Sequence, residues 1–341
     1  MKKILLTTAL VGSLVSGISA ANAETKVSGN LGISYFAASN DTSGATSGSY
    51  NGFGTESQIN IANSGDLNNG MKYAAGFSWE IDGGETLTQA SGASTEGTYI
   101  EFISGATTFG VGADRDTSLD GLGANFVGFG YRAISGVGTS ITGSGYGTDA
   151  SFGFMASQAI GGGKFAVNYI PNVGKLATQD IANGATKGNI DGGESYYSVT
   201  YKGNVGGVAI HTGMNTTAGV ATFSDAEARG LSLAYTMGKT KVGASYGETE
   251  TSTAAGTAQV KNDTTELGIA QAISDNTSVG LTYTTTDTST AGRGSEEIVT
   301  ASVGYNLGAV AVTLQFKDAQ DIGGVAGTDG QQLGMYIGTK F

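Results

Sequence analysis

The sequence predicts an all-β protein, a transmembrane antiparallel β-barrel of about sixteen strands. Apolar and polar residues alternate in short segments along most of the chain, and a strand turns alternate side chains to opposite faces. Only 13% of the residues are charged, whereas a soluble surface usually carries roughly 25–35%. Long and short connections also alternate, as they do in outer-membrane barrels. A closed sheet with an apolar outer face and a wet inner face explains all three observations.

The composition excludes several functional classes. The 341 residues include 58 Gly, one Pro and no Cys, so the chain has no disulfide, thiol nucleophile or Cys metal site. His211 is the only histidine, and its alternation phase predicts that it faces the barrel interior. A single His forms no His/Cys metal cluster, and no G-x-S-x-G elbow stands between a strand and a helix, so we expect no enzyme activity. The net charge of −12 argues against a nucleic-acid partner.

Residues 1–23 are predicted to be a secretory signal peptide, which leaves residues 24–341 as one barrel domain. Lys2 and Lys3 form a basic start, an apolar stretch runs to Ile18, and Ala21-Asn22-Ala23 is a small-x-small cleavage site. The apolar run is short and interrupted by Thr, Ser and Gly, which disfavours an N-terminal membrane anchor. Loss of two of the 17 basic residues changes the net charge from −12 to −14.

The strands are predicted from the alternation and from the Gly-, Asn- and Ser-rich segments between them. The third strand is the clearest, because its charged residues Lys72, Glu80 and Asp82 all fall on the face opposite Phe77 and Trp79. A slip of one residue would turn these charges to the apolar face, so the register is well specified. The predicted strands lie around residues 25–37, 59–61, 71–82, 98–103, 107–111, 152–156, 165–169, 197–201, 208–210, 231–237, 242–246, 267–269, 279–283, 299–307, 310–316 and 333–341.

The last predicted strand should close the barrel. From Leu333 to Phe341 one face is mostly apolar, and the sequence ends on the aromatic Phe341. Pairing of this strand with the first one, Thr25–Ala37, removes the last open edge of the sheet. Phe341 is then expected in the aromatic girdle at the periplasmic interface. A soluble, secreted β-sandwich would also show alternation, but its wet face should carry more charge than these Gly-, Ser- and Thr-rich strands do.

Several segments resemble general porins of the Gram-negative outer membrane, in particular the alphaproteobacterial type. They are the signal segment, Thr25-Lys26-Val27-Ser28-Gly29, the turn and strand start at 66–73, the hairpin at 98–113 and the final Gly338-Thr339-Lys340-Phe341. The resemblance implies a homotrimer in the outer membrane, reached by export to the periplasm. It also implies contact with lipid and lipopolysaccharide, and assembly by barrel-assembly machinery that reads Phe341 as a signal. For function it implies passive diffusion of small hydrophilic solutes and ions.

The resemblance further implies that the third outer loop, residues 114–149, folds inward and narrows the pore. The charged residues of this loop are then the predicted constriction: Asp114, Arg115, Asp116, Asp120 and Arg132. Alternation adds a set of charges on the lumen wall: Lys72, Glu80, Glu101, Lys241, Lys317 and Lys340. The acidic balance of the chain predicts a weak preference for cations, because like charges concentrate counter-ions in a pore.

No cofactor is predicted, although carboxylates on the outer loops have the oxygen ligands that Ca²⁺ prefers, and these loops are candidates for loosely bound Ca²⁺. The acidic residues in question are Glu85, Glu96, Asp180, Asp191, Glu194, Asp225, Glu227, Asp318 and Asp321. Two other functions stay open at this point. One is a substrate-selective outer-membrane channel, and the other is a secreted β-rich adhesin or surface protein without a pore.

Overall fold

The structure is a computed structural model that describes residues 23–41, 48–83, 94–113, 152–173, 194–218, 226–252 and 259–341. Within these ranges the chain forms sixteen strands. They are β1 (Glu24–Asp41), β2 (Gly48–Asp66), β3 (Lys72–Gly83), β4 (Ser94–Ser104), β5 (Thr107–Ala113), β6 (Phe152–Ile160), β7 (Gly163–Val173), β8 (Glu194–Val205), β9 (Val208–Ala218), β10 (Ala226–Met237), β11 (Thr240–Ser252), β12 (Gln259–Ala272), β13 (Thr277–Thr288), β14 (Ser295–Asn306), β15 (Val310–Gln320) and β16 (Asp329–Lys340).

These strands form one closed antiparallel barrel, which confirms the predicted fold class and strand number. Each strand pairs with its neighbours in sequence, and β1 also pairs with β16. Several strands are longer than predicted. The sequence predicts the second strand around residues 59–61, whereas β2 starts at Gly48 and pairs from there with Asn40 of β1. A ladder needs only backbone N–H and C=O groups, so Gly- and Ser-rich segments extend it without an apolar signal in the sequence.

The β1–β16 seam closes through small residues. Gly29 and Phe341 donate and accept one backbone hydrogen bond each, both of 3.0 Å, and the Phe341 ring lies against Gly29. On the inner side, the Tyr336 ring crosses Gly32 and Gly338, where a Cβ atom would overlap the ring. The predicted pairing of the first and last strands is therefore confirmed, and glycine provides the space that both aromatic rings require.

The outward face of the barrel is apolar and exposed. Leu31 on β1 is 51% exposed and Leu281 on β13 is 49% exposed, whereas core residues of a soluble domain are buried. Aromatic pairs lie on the same face, with ring centroids 5.0 Å apart for Tyr35–Phe53 and 4.9 Å apart for Tyr169–Tyr197. Such a continuous apolar surface is unfavourable in water and favourable in lipid. No helix in the described part of the chain is long and apolar enough to cross a membrane.

On the outward face of β10–β12, a cluster of charged side chains lies on the extracellular side of Tyr246. The Tyr246 hydroxyl donates to Asp263 Oδ1 at 2.7 Å. One residue pair further on, Glu248 accepts from Arg229 Nη2 at 2.6 Å and from Lys261 Nζ at 2.9 Å. Amphipathic rings prefer the membrane interface and ion pairs prefer water, so this cluster marks the upper limit of the apolar band.

The connections give the barrel its orientation. Short turns of two to five residues lie at one end, at positions 67–71, 105–106, 161–162, 206–207, 238–239, 273–276 and 307–309. The first strand begins and the last strand ends at this same end. The other end carries the long connections, of which residues 289–294 and 321–328 are described. Short turns face the periplasm in barrels of this type, so the long connections form the extracellular mouth.

Candidate functional site

The candidate site is the inner face of the barrel, which is lined by hydroxyl and amide groups. Small polar side chains follow one another on the inward positions of β12, β13 and β14. Thr264 and Thr286 share a hydrogen bond of 3.1 Å, and Thr284 Oγ1 donates to Glu266 Oε2 at 3.2 Å. Sixteen strands enclose a space wider than wall side chains fill by themselves. A polar wall around such a space is suited to water and hydrophilic solutes.

A second polar patch lies on a separate stretch of wall, on β2 and β3. Ser78 Oγ donates to Asn60 Oδ1 at 2.6 Å, and Asn60 Nδ2 donates to Gln58 Oε1 at 3.2 Å. Each amide therefore holds the next one in a fixed orientation. The inner wall therefore presents oriented polar groups on two separate stretches, β2–β3 and β12–β14.

The structure places all six predicted wall charges on inward positions of their strands. Lys72 begins β3, Lys241 is the second residue of β11 and Lys340 ends β16. Glu80 is only 9% exposed. The two that remain, Glu101 on β4 and Lys317 on β15, are partly exposed. The wall charges thus come from five different strands and line the lumen at several heights.

Several inward charges are not in the predicted set, among them Lys164, Lys202, Glu266 and Glu296. Glu266 is 9% and Glu296 is 2% exposed. The alternation phase of β12 could have identified Glu266, which shares its face with Thr264. Glu296 was obscured, because the apolar Ile298 occupies the same inward face of β14. The alternation could also have identified the two lysines, because Lys164 precedes the outward Phe165 and Lys202 follows the outward Tyr201.

The predicted constriction residues Asp114, Arg115, Asp116, Asp120 and Arg132 lie outside the described residues. The inward-folded third loop therefore stays a prediction. The calcium prediction also stays one, because Glu85, Asp180, Asp191 and Asp225 are outside the described ranges as well. In the described ranges, no three acidic or histidine side chains are grouped as metal ligands.

An outer connection that is described, residues 321–328 between β15 and β16, folds toward the lumen. We call this segment the mouth strap. Its Ile322 side chain packs against Ala38, Ile298 and Ala319, all of which are buried on the inner face. Apolar contact with the inner wall holds the start of the strap inside the rim of the barrel rather than above it.

Polar contacts fix the rest of the strap. The Gly323 N–H donates to Glu296 Oε2 at 2.6 Å, and Arg293 Nη1 donates to the Gly323 carbonyl at 2.5 Å. The Gly294 N–H donates to the Gly324 carbonyl at 2.7 Å. Within the strap, Asp321 Oδ1 accepts from the Gly327 N–H at 2.7 Å. The strap is therefore bonded to the connection between β13 and β14 as well as to itself.

A cavity of about 270 Å³ lies between the strap and the inner wall. Polar side chains form most of its lining: Asn262, Thr286, Thr288, Thr290, Arg293 and Glu296. Hydroxyl, amide, guanidinium and carboxylate groups all face this space. It is a recess at the extracellular mouth in which a small hydrophilic molecule could make several hydrogen bonds.

Comparisons with known proteins agree with this architecture. The family model of the Gram-negative porins matches residues 7–323. The anion-selective porin from Comamonas acidovorans has 17% identity and a TM-score of 0.71, over 94% of this chain and 100% of that one. Salmonella typhi OmpF, in complex with daunomycin, has 13% identity and a TM-score of 0.64, over 93% and 97%. The outer-membrane OmpT of Vibrio cholerae has 12% identity and a TM-score of 0.65, over 96% and 100%.

At these identities the structural likeness shows the fold alone. A comparison with curated protein sequences finds no significant match. The alphaproteobacterial type expected from the sequence stays a prediction. The family model, in contrast, spans most of the chain, and the closed barrel with its apolar outer face and polar lumen is what that family requires. The chain belongs to the Gram-negative porin family and is an outer-membrane porin.

Proposed function

We propose that the protein is a diffusion channel, through which small hydrophilic solutes and ions cross the outer membrane passively. The observation that carries the proposal is the polar inner wall of a closed sixteen-strand barrel. Passive diffusion needs a wide, hydrated path without a strong binding step. Conductance of the refolded protein in a planar bilayer tests it, and ohmic steps are expected in 1 M KCl, where wall charges are screened.

The proposed assembly is a homotrimer. A structural neighbour, an in-vitro folded OmpT of Vibrio cholerae, is described in a trimer form and matches with 12% identity and a TM-score of 0.61. Conductance steps that occur in groups of three support a trimer. Migration as a single monomeric band on an unboiled gel, with isolated single steps, contradicts it.

A weak preference for cations is part of the proposal. Its support is the net charge of −14 after loss of the signal peptide, with acidic residues such as Asp114, Asp116 and Asp120 in the loop expected to narrow the pore. The lysines of the described wall act in the opposite sense, so the preference should be small. The Comamonas porin is described as anion-selective, but ion selectivity depends on individual lumen charges.

In a KCl gradient across a planar bilayer, the reversal potential should therefore have the sign of K⁺ permeation and stay well below the ideal value. The physical reason is that a net acidic pore concentrates K⁺ more than Cl⁻. A gradient of potassium acetate serves as a control, because a bulky anion should increase a cation preference. An anion-selective sign in KCl would contradict the prediction.

A substrate-selective channel is the second candidate, and the cavity beneath the mouth strap favours it. Its volume of about 270 Å³ and its lining of Thr288, Thr290 and Asn262 suit a molecule with several hydroxyl groups. A neutral monosaccharide added to one side should then reduce the conductance in a saturable manner. A linear decrease that follows bulk viscosity supports the general channel instead.

A further inference from the structure

The charges of the inner wall are unevenly distributed along the pore axis. Four lysines lie on inward positions close to the periplasmic turns. Lys164 is the second residue of β7 and Lys241 the second of β11, Lys202 is the fourth from the end of β8, and Lys340 ends β16. Two further inward lysines lie near the periplasmic end beside carboxylates. Lys72 is opposite Asp66 in the β2–β3 register, and Lys26 of β1 is 3.5 Å from Glu24. The periplasmic half of the wall is therefore rich in positive charge.

Three of the basic residues form one continuous patch on neighbouring strands. Lys164 is paired directly with Lys202, and Lys202 is paired directly with His211 of β9. We call Lys164, Lys202 and His211 the basic patch. Like charges directly opposite each other destabilise a sheet. Within the described ranges, no ion pair involves Lys164 or Lys202.

The extracellular half of the same wall has the opposite sign. Glu80 is the fourth residue from the extracellular end of β3, and Glu296 is the second residue of β14. Lys317 and Arg293 are also in this half. Glu266 lies within electrostatic range of Lys317, and Arg293 lines the cavity beneath the mouth strap together with Glu296. These cations offset part of the acidic charge, and the described carboxylates still outnumber them by three to two. The described inward glutamates in the periplasmic half are Glu101 on β4 and Glu24 at the start of β1, and Glu24 is paired with Lys26. Carboxylates therefore predominate in the extracellular half of the wall, and ammonium groups predominate in the periplasmic half.

We infer that the lumen is electrically polar along its axis, and that the basic patch makes its periplasmic half attract small anions. This inference rests on the proposed channel function. An axial step from acidic to basic wall makes an ion path asymmetric, because one voltage polarity fills both halves with their counter-ions and the opposite polarity empties them. The channel should therefore conduct unequally at equal and opposite voltages. The class of solute favoured from the periplasmic side is the small oxyanion, such as inorganic phosphate.

Salt concentration gives the first measurement, on the unmodified protein. The Debye length is about 30 Å at 0.01 M and about 3 Å at 1 M salt. Wall charges therefore control the lumen only at low salt. The ratio of currents at opposite voltages should be on the order of two in dilute KCl and return to one in 1 M KCl. A ratio of one in dilute KCl would overturn the inference while leaving a conducting porin.

Variants give the second measurement. In dilute KCl, the double variant Lys164→Gln/Lys202→Gln should bring the ratio of currents at opposite voltages at least halfway to one. The variant Lys164→Glu/Lys202→Glu should bring this ratio still closer to one. The matched control is Lys239→Gln, in the periplasmic turn between β10 and β11, which should leave the ratio unchanged. Heat-modifiable migration on gels checks that each barrel is closed.

The outcomes separate the two proposals. Phosphate added on the periplasmic side should alter the current more than phosphate added on the extracellular side, and the double Gln variant should lose that difference. If the wild-type ratio is asymmetric but the variants do not change it, another part of the chain causes the asymmetry and the role of the basic patch is refuted. Absence of any conductance from folded protein would refute the channel function and this inference with it.

Discussion

Deletion of Phe341 should reduce the amount of assembled barrel in the outer membrane roughly tenfold or more, with little change in the conductance of the barrels that form. The deletion removes two backbone hydrogen bonds to Gly29 at the closing seam, each of which contributes about 0.5–1.5 kcal/mol. It also removes the ring that packs on Gly29. Every 1.4 kcal/mol changes an equilibrium about tenfold. Quantitative immunoblots of outer-membrane fractions measure the amount of assembled barrel, and single-channel recordings measure the conductance of the barrels that form.

Substitutions separate the seam from the assembly signal. Phe341→Ala keeps the backbone bonds and should give an intermediate loss, whereas Phe341→Trp should assemble nearly normally. Phe316→Ala is the matched control, because Phe316 is a lipid-facing aromatic, 42% exposed, that lies away from the seam on β15. If Phe341→Ala assembles as well as Phe316→Ala, the ring is no assembly signal. If the deletion variant assembles normally, the whole proposal for Phe341 is wrong.

Removal of residues 322–327 from the mouth strap should increase the single-channel conductance, on the order of 1.5-fold, because conduction through a wide pore follows its diameter and wall charge. The strap is held inside the rim by Ile322 and by the bonds of Gly323 to Glu296 and Arg293. Its removal widens the mouth and exposes the Glu296 carboxylate to the lumen. The cation preference should therefore rise together with the conductance.

Point variants test the same contacts without shortening the chain. Ile322→Ala removes the apolar anchor and Glu296→Ala removes an acceptor of the Gly323 N–H, so both should add current fluctuations at constant voltage. Val325→Ala is the matched control, since Val325 belongs to the strap but is 39% exposed and outside the apolar cluster. Unchanged conductance and noise in the shortened strap, from a barrel that is heat-modifiable, would show that the strap does not restrict the pore.

Lys72 and Glu296 show which inward charges the alternation within one strand can predict and which it cannot. The sequence predicts Lys72 on the inner face because β3 alternates cleanly between large apolar residues and small or charged ones. It does not indicate Glu296, because Ile298 interrupts the polar face of β14. That isoleucine is on the inner face to hold Ile322 of the strap, and a contact between residues distant in sequence leaves no trace in the alternation of one strand.

Strand lengths show the same limit. The alternation predicts the centre of each strand, where lipid selects apolar side chains, but not the ends, where the ladder extends into water through Gly, Ser and Asn. For this reason β1 and β2 are longer than expected. Beyond the apolar band only backbone pairing determines where a strand ends, and that depends on the neighbouring strand.

The sequence by itself determined the fold class, the strand number, the two faces of each strand and the identity of the closing strands. These follow from a period of two repeated along the chain, with low charge and alternating connection lengths. Only the tertiary structure decided which charges meet. Register places Lys164 beside Lys202, the closed barrel brings Glu296 to the mouth strap, and Gly29 receives the Phe341 ring. Neighbours in a barrel are set by pairing around its whole circumference, which no single stretch of sequence encodes.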